Sequence, residues 1–290
     1  MTRGKATGIG FVAVLLWALL ALLTVGSAPM PPLLLNTICF SLGGTLGLIW
    51  AARTGALPQL RRVPFKVYAF GTIGLFGYHA LYFSALRLAP AAEAGLIAYL
   101  WPLLIVIFSG LLPGETLRAG HLIGALTGFA GAALIISGGG VGFQPGYAAG
   151  YGLALLCALT WSSYSVLSRL VGDAPTATVA VFCLASALLS LPLHLVFEDT
   201  LWPGTALQWA SVLGLGLGPV GLAFFVWDIG VKQGDIQLLG TASYAAPLLS
   251  TVILVVSGVA APSLTLLWAA LLITGGAVIA ARASLRSKKD

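Results

Sequence analysis

Residues 75–118 read LFGYHALYFSALRLAPAAEAGLIAYLWPLLIVIFSGLLPGETLR and predict two membrane-spanning helices joined by a short turn. The first helix is apolar from about residue 67 to 86 and ends before Pro90, and the second runs from about 91 to 112. Each has about 20 residues, enough to cross a hydrocarbon layer of about 30 Å at a rise of about 1.5 Å per residue. The stretch therefore predicts an α-helical membrane protein.

The middles of both helices carry groups that lipid does not favour. Aromatic side chains that face lipid gather at the two membrane interfaces, and polar or helix-breaking groups at mid-depth face protein or a watery cavity. Six such residues lie about halfway along the two helices: Tyr78, His79, Tyr82, Tyr99, Trp101 and Pro102. The pattern indicates that these helices line an internal site.

The same stretch returns later in the chain. Residues 100–104, LWPLL, are echoed 145 residues further on by residues 245–249, AAPLL. Other residues match at a spacing of 145 or 144: Gly95 with Gly240, Tyr99 with Tyr244, Tyr82 with Trp227, Arg87 with Lys232, and Trp17 with Trp161. The nearly constant spacing predicts two diverged copies of one unit, residues 1–140 and 141–290.

The composition excludes a soluble protein. Hydrophobic residues make up 59% of the 290 residues and charged residues 8%, whereas soluble domains carry about 25% charge. Three scattered cysteines without CxxC spacing, Cys39, Cys157 and Cys183, argue against a disulfide framework and against a metal site. Hydrolytic and nucleotide-binding motifs are missing from the sequence, so we predict neither an enzyme nor a cofactor.

Ten apolar spans follow one another along the chain. A removable signal peptide is an alternative reading of the first, but its apolar core is long and it has a counterpart in the second copy. The spans cover about residues 7–25, 33–52, 67–86, 91–112, 119–137, 149–167, 177–197, 207–226, 237–256 and 264–281. The sequence thus predicts an all-α integral membrane protein, with a glycine-rich connector at 138–146 between the copies.

The basic residues set the orientation. Of the 14 lysines and arginines, all except Arg87 fall on one side of the ten-span arrangement. The positive-inside rule makes that side the cytoplasm, so both termini are predicted to be cytoplasmic. This distribution explains the net charge of +6 without nucleic acid. Because each copy has an odd number of spans, the two five-helix repeats have inverted topology, as in many secondary transporters.

Two prolines at matching positions are candidates for hinges. Pro102 and Pro247 lie inside predicted spans, where proline removes a helical hydrogen bond and frees the carbonyl four residues back. The matching positions favour a functional hinge, and a simple packing kink is the alternative.

A central cavity between the copies is the expected binding site. Its predicted lining consists of nine residues near mid-depth: Trp17, Tyr78, His79, Tyr82, Tyr99, Trp101, Trp161, Ser243 and Tyr244. Core packing is an alternative for the tryptophans, and a structural hydrogen bond is an alternative for His79. His121 and His194 lie near span ends and are expected at the membrane interfaces.

Charged residues inside the predicted spans are few. Asp228 could couple transport to protons, but Lys232 four residues later favours a local ion pair. Glu93 and Arg87 flank the turn between the third and fourth spans and are expected to pair in the same way.

The chain resembles the drug/metabolite transporter superfamily, and within it the EamA-type members. The resemblance covers essentially the whole chain and is carried by Ala85-Leu86, Ala89-Pro90-Ala91, Tyr99-Leu100-Trp101-Pro102, Gly114-Glu115, Gly120 and Gly131. The second copy is weaker, since Val259-Ala260 replaces Gly114-Glu115. Among these families the chain looks most like the YddG group of aromatic amino acid exporters.

The resemblance implies export of aromatic and other neutral amino acids across the bacterial inner membrane by a secondary transporter, with the monomer favoured. The aromatic lining agrees with such substrates, because rings can stack on an aromatic side chain. An exporter of other small metabolites or lipophilic drugs with the same fold is the alternative. A membrane-embedded enzyme and a passive channel also stay open as other classes of function.

Overall fold

The structure is a computed structural model that describes residues 1–138, 142–171, 173–258, 261 and 263–287, with side chains up to residue 285. Within these residues every long regular element is a helix and there is no strand. The predicted all-α fold is therefore confirmed. The boundary between the predicted copies falls at residues 139–141, outside the described part.

Within the described ranges, nine helices are long and apolar enough to span a membrane. We label them with one further helix, α3, in chain order: α1 Arg3–Gly26, α2 Pro32–Arg53, α3 65–88, α4 Ala91–Ser109, α5 Ala119–Ile136, α6 Pro145–Leu167, α7 Thr178–Phe197, α8 Ala206–Gln233, α9 Ile236–Val256 and α10 Leu264–Leu285. Helix α3 is less apolar because it carries Tyr78, His79, Tyr82 and Arg87. The count of ten membrane spans stays a prediction.

Contacts between the helices follow a two-fold pattern. Helix α5 packs against α10, and α2 packs against α7. Helix α1 packs against α8 as α6 packs against α3, and α1 packs against α9 as α6 packs against α4. Exchanging the first five helices for the last five leaves this list of neighbours unchanged, as expected for two related halves.

Glycines let two of these helix pairs approach closely. A Cβ atom on Gly124 of α5 would lie 2.6 Å from the carbonyl oxygen of Gly276 in α10. A Cβ atom on Gly10 of α1 would lie 2.7 Å from the Cα atom of Gly230 in α8. Small residues at such crossings allow backbone contact that drives association of helices in lipid.

Four helices are irregular at matching places. Helix α4 is interrupted between Ala98 and Trp101, and α9 between Ala242 and Ala245. Pro102 and Pro247 follow these two breaks, and their role as hinges stays a prediction. Helices α3 and α8 contain π-helical turns at Ile73–Gly77 and Gly218–Leu222, which are also 145 residues apart. Such turns are rare in proteins as a whole, and those that occur are often found at functional sites.

The contacts of the connecting segments define two ends of the bundle. Arg3 near the amino terminus pairs with Glu115, and His121 contacts Ser284 near the end of α10. We call this the terminal end. Arg87, Glu198 and the start of α2 meet at the opposite end.

Candidate functional site

Four tryptophans from four helices meet in the middle of the bundle. Trp17 of α1 lies 5.1 Å from Trp227 of α8 and 6.0 Å from both Trp101 of α4 and Trp161 of α6, measured between ring centroids. Trp161 and Trp227 are stacked at 6.3 Å with an interplanar angle of 22°. We call these residues the tryptophan cluster. Two come from each copy, so the cluster lies where the copies meet.

Trp227 is absent from the predicted site, although it is central to the cluster. Its indole N–H donates to the hydroxyl of Ser165 at 3.1 Å, and the residue is 1% exposed. At the spacing of 145 residues, Trp227 matches Tyr82 of the first copy, which is a predicted site residue. That match is the signal in the sequence that points to Trp227, although the predicted span 207–226 ends one residue before it.

Three tyrosines extend the cluster towards the opposite end. Tyr78 lies 5.4 Å from Trp161 and stacks on Tyr82 at 6.1 Å with nearly parallel rings, while Tyr99 lies 6.2 Å from Trp101. All three are half-buried. The structure thus brings together the predicted aromatic residues of α1, α3, α4 and α6.

Three of the four tryptophans are almost inaccessible. Trp101, Trp161 and Trp227 are 4%, 3% and 1% exposed, whereas Trp17 is half-buried. On α3, α4, α6 and α8, accessibility therefore falls from the tyrosines to the tryptophans.

His79 joins the same group of rings and also makes a local hydrogen bond. Its Nδ1 lies 2.7 Å from the carbonyl oxygen of Leu75. Because a carbonyl only accepts, Nδ1 carries the proton, and Nε2 of the neutral ring is an acceptor. The ring lies 5.0 Å from Phe40 and 6.1 Å from Phe224. The hydrogen bond to Leu75 agrees with the structural alternative for His79, and a binding role for the other ring nitrogen stays a prediction.

Among the described residues, neither Ser243 nor Tyr244 makes a hydrogen bond or ring contact with the tryptophan cluster, and their place in the lining stays a prediction. Both are 0% exposed. The Tyr244 hydroxyl accepts from the N–H of Leu103 at 3.0 Å, and the Ser243 hydroxyl donates to the carbonyl of Leu239 at 2.8 Å. The break in α4 leaves first-turn N–H groups without helical partners, and Tyr244 satisfies one of them. Its ring packs against Phe129.

The terminal end is closed by ion pairs that join the two copies. Arg3 lies 2.9 Å from Glu115, which also pairs with Arg169, and Arg3 lies 3.7 Å from Asp235. The side chains of Glu115 and Asp235 are 8% and 9% exposed. Burial lowers the pKa of the Arg169 guanidinium, and the Glu115 carboxylate opposes that shift. We call these four residues the terminal-end network.

Arg169 adds hydrogen bonds to the last turn of α8 and to the loop that follows it. It donates through Nε to the carbonyl of Val231 at 2.8 Å and through Nη2 to the carbonyl of Gly234. The N–H of Asp235 donates to the hydroxyl of Thr7 in α1 at 2.8 Å. The network therefore fixes the loop after α8 against α1 and α6.

Asp228 and Lys232 form the predicted ion pair, with 2.9 Å between Oδ1 and Nζ. The pair is buried, at 2% and 5% side-chain exposure, rather than open to water. Thr176 donates to Asp228 at 2.8 Å, and Lys232 donates to the carbonyl of Ala174 at 3.0 Å. The pair therefore ties α8 to the segment before α7.

The predicted pair of Arg87 with Glu93 is wrong. Arg87 pairs instead with Glu198 at 3.3 Å, and Glu93 accepts from the N–H of Gly142 at 3.1 Å. Glu198 also accepts from the N–H of Leu33 at 3.0 Å. A carboxylate at a helix N-terminus is favourable because the first N–H groups have no helical partner. The start of α2 holds Glu198 beside Arg87, so Arg87 pairs with Glu198 instead of Glu93, which is nearer in sequence.

His121 and His194 are buried rather than exposed at an interface. They are 0% and 1% exposed. His121 contacts the hydroxyl of Ser284 at 3.2 Å, and His194 contacts Glu198 at 3.0 Å and Thr200 at 2.9 Å. His121 therefore links α5 to α10, whereas His194 holds the segment that follows its own helix.

Comparisons with known proteins agree on one family. The EamA-like transporter family matches residues 5–137 and again residues 148–282. The aromatic amino acid exporter YddG of Ancylobacter novellus is 53% identical over 282 residues, covering 97% of this chain and 98% of the relative. The exporter YddG of Salmonella typhimurium is 29% identical over 265 residues, covering 87% and 88%.

A solved crystal structure has the same fold. It superimposes with a TM-score of 0.92 at 52% identity, covering 96% of this chain and 98% of the other. Together with the apolar helices and the duplicated match, these likenesses identify a multi-pass protein of the inner membrane that transports small molecules and is not an enzyme. The chain belongs to the EamA-like transporter family.

Proposed function

We propose that this protein exports aromatic and other neutral amino acids by alternating access around the tryptophan cluster. The observation that carries the proposal is the meeting of Trp17, Trp101, Trp161 and Trp227 between the two copies. Inverted-repeat transporters bind substrate at this place. Relatives named as aromatic amino acid exporters support the substrate class.

The cluster offers both apolar and polar contacts to an amino acid. Tryptophan and tyrosine rings provide edges and faces that stack on an aromatic side chain. The Nε2 atom of His79 has no hydrogen-bond partner among the described residues, so it can accept from an ammonium group. The half-buried tyrosine hydroxyls can donate to a carboxylate. These contacts suit a zwitterion with an apolar side chain.

The terminal end of the bundle is more tightly packed than the opposite end, as an outward-facing state requires. Residues of the terminal-end network are paired and mostly buried, while the tyrosines on the opposite side of the cluster are half-buried. The basic residues favour a cytoplasmic location for the terminal end and both termini. We infer that the cytoplasmic side is closed and that substrate leaves towards the outside.

Breaks at matching places in both copies support the movement. The interruptions before Pro102 and Pro247 lie in α4 and α9, next to the cluster and to Tyr244. The π-helical turns lie in the neighbouring α3 and α8. Helices that are already broken can bend without losing further backbone hydrogen bonds. One chain supplies both halves of the site, so we propose the monomer as the functional unit.

Counterflow in proteoliposomes tests the function. Liposomes loaded with unlabelled phenylalanine should take up labelled phenylalanine, tyrosine and tryptophan with saturable rates. Comparing these rates with and without a pH gradient reports whether transport is coupled to protons. Competition by lipophilic drugs, with no competition by amino acids, would instead support the drug exporter. Flux that does not saturate would indicate a channel, and chemical turnover of substrate in detergent would indicate an enzyme.

A further inference from the structure

Four basic residues in one short segment have no side-chain partner among the residues that the structure describes. They are Arg53 at the end of α2, Arg61 and Arg62 between α2 and α3, and Lys66 in the first turn of α3, and all four are exposed. In the described part of the chain, none of them makes a hydrogen bond or an ion pair through its side chain. By contrast, Arg3, Arg87, Arg169 and Lys232 each pair with a carboxylate. The four residues form what we call the basic loop.

The basic loop is held in place rather than hanging free. The hydroxyl of Tyr68 in α3 donates to the carbonyl of Leu60 at 2.6 Å. Leu60 is buried in a small core with Ala51 of α2 and Ala177 before α7. The backbone that carries the positive charges is therefore held in place where α2 and α3 of the first copy meet the segment before α7 of the second.

A cavity of about 410 Å³ opens beside the basic loop. One wall belongs to the loop and α3, and the other to the segment before α7, which Lys232 holds through the carbonyl of Ala174. Its lining combines polar and apolar side chains, among them Gln59, Arg62, Val67, Val171, Asp173 and Pro175. A headgroup with the first part of an acyl chain has the same mixed character.

We propose that this cavity binds the phosphodiester headgroup of an anionic phospholipid of the surrounding leaflet. Arg62 lines the cavity, and Arg61 and Lys66 add positive charge beside it. Basic pockets between membrane helices bind such headgroups, and each nearby cation contributes by charge attraction. Phe65 is 83% exposed and Leu57 is 41% exposed, so apolar side chains next to the cations can enter the lipid.

Replacing Asp173 tests the proposal, because the change in lipid affinity is expected to have opposite signs for two kinds of headgroup. Its carboxylate faces the same cavity as Arg62. An anionic headgroup such as phosphatidylglycerol is repelled by Asp173, so Asp173→Asn should strengthen its binding. The ammonium of phosphatidylethanolamine would be attracted by Asp173, and the same change would weaken its binding.

Native mass spectrometry of the whole protein measures the binding. Protein in a nonionic detergent is titrated with phosphatidylglycerol, phosphatidylethanolamine or phosphatidylcholine that carry identical acyl chains. Phosphatidylglycerol should bind most tightly. Arg62→Gln with Lys66→Gln should weaken it about twentyfold, and Asp173→Asn should tighten it about fivefold.

A matched control, Lys5→Gln with Arg282→Gln, removes two other exposed cations whose side chains have no partner in the described part of the chain. It should change the affinity for phosphatidylglycerol by less than about twofold, because these residues lie outside the cavity. Equal binding of phosphatidylglycerol and phosphatidylcholine to the unchanged protein would overturn the proposal. An equal loss in the control pair, or weaker phosphatidylglycerol binding in Asp173→Asn, would overturn it as well.

Discussion

The indole N–H of Trp17 donates to the carbonyl oxygen of Pro219 at 3.2 Å, across 202 positions of sequence. Trp17 belongs to the tryptophan cluster, and Pro219 lies in the π-helical turn Gly218–Leu222 of α8. A π-helical turn shifts the backbone pairing, and a carbonyl in it accepts a side-chain donor. The ring of Trp17 is thus positioned directly by the irregular turn of the other copy.

Replacing Trp17 by Phe tests this link. The variant keeps an aromatic ring but leaves the Pro219 carbonyl without its donor, which should cost about 1 kcal/mol of stability. We expect a lower melting temperature and weaker binding of aromatic substrates. Trp268→Phe is the matched control, because Trp268 is 61% exposed on α10. Equal melting temperatures for both variants would show that the hydrogen bond contributes nothing.

Alanine at Trp101 or Tyr78 should impair aromatic substrates selectively. An aromatic contact is worth on the order of 1 kcal/mol, so the affinity for phenylalanine should fall by about fivefold or more. Threonine cannot stack and should lose less, as measured by competition in counterflow. An equal loss for both substrates in well-folded protein would place selection elsewhere.

Tyr244→Ala should behave differently from those variants. Its hydroxyl accepts from the N–H of Leu103, and its ring fills the core beside Gly128 and Phe129. Removing it leaves a buried cavity and an unpaired N–H, which should lower stability by about 3 kcal/mol or more. Phenylalanine and threonine transport should fall together. Tyr244→Phe keeps the ring, so it separates the hydrogen bond from the packing.

Because α4 and α9 are broken before Pro102 and Pro247, we expect replacement of either proline to slow transport. Pro102→Ala or Pro247→Ala allows a further backbone hydrogen bond across the break, which should stiffen α4 or α9. We expect a lower transport rate with nearly unchanged substrate affinity and an equal or higher melting temperature. Normal rates in both single variants and in the double variant would leave packing as the role of these residues.

Neutralising Glu115 should open the terminal end. Glu115→Gln removes the carboxylate that pairs with both Arg3 and Arg169, and a buried guanidinium without its partner is unfavourable. A cysteine placed at Ser168, which is 2% exposed, should then react severalfold faster with an impermeant maleimide added from the cytoplasmic side. Glu93→Gln is the control, because Glu93 lies at the opposite end. Equal reaction rates in both variants would count against a gate.

Much of the architecture follows from local sequence. The predicted spans 119–137 and 177–197 appear as Ala119–Ile136 and Thr178–Phe197. Length and apolar character decide such helices, because lipid leaves each backbone group to find its partner within its own helix. The spacing of 145 residues likewise anticipates that irregularities in one copy, such as Ile73–Gly77, recur in the other.

Partners across helices were decided only by the tertiary structure. The sequence pointed to Glu93 for Arg87, but the start of α2 brings in Glu198. It matched Tyr244 with Tyr99 as repeat counterparts, but it did not indicate that the Tyr244 hydroxyl accepts from the N–H of Leu103 at the break in α4. The physical reason is the same in both cases. A repeat or a short spacing fixes which helix face a residue occupies, whereas the crossing of helices distant in sequence fixes what that face meets.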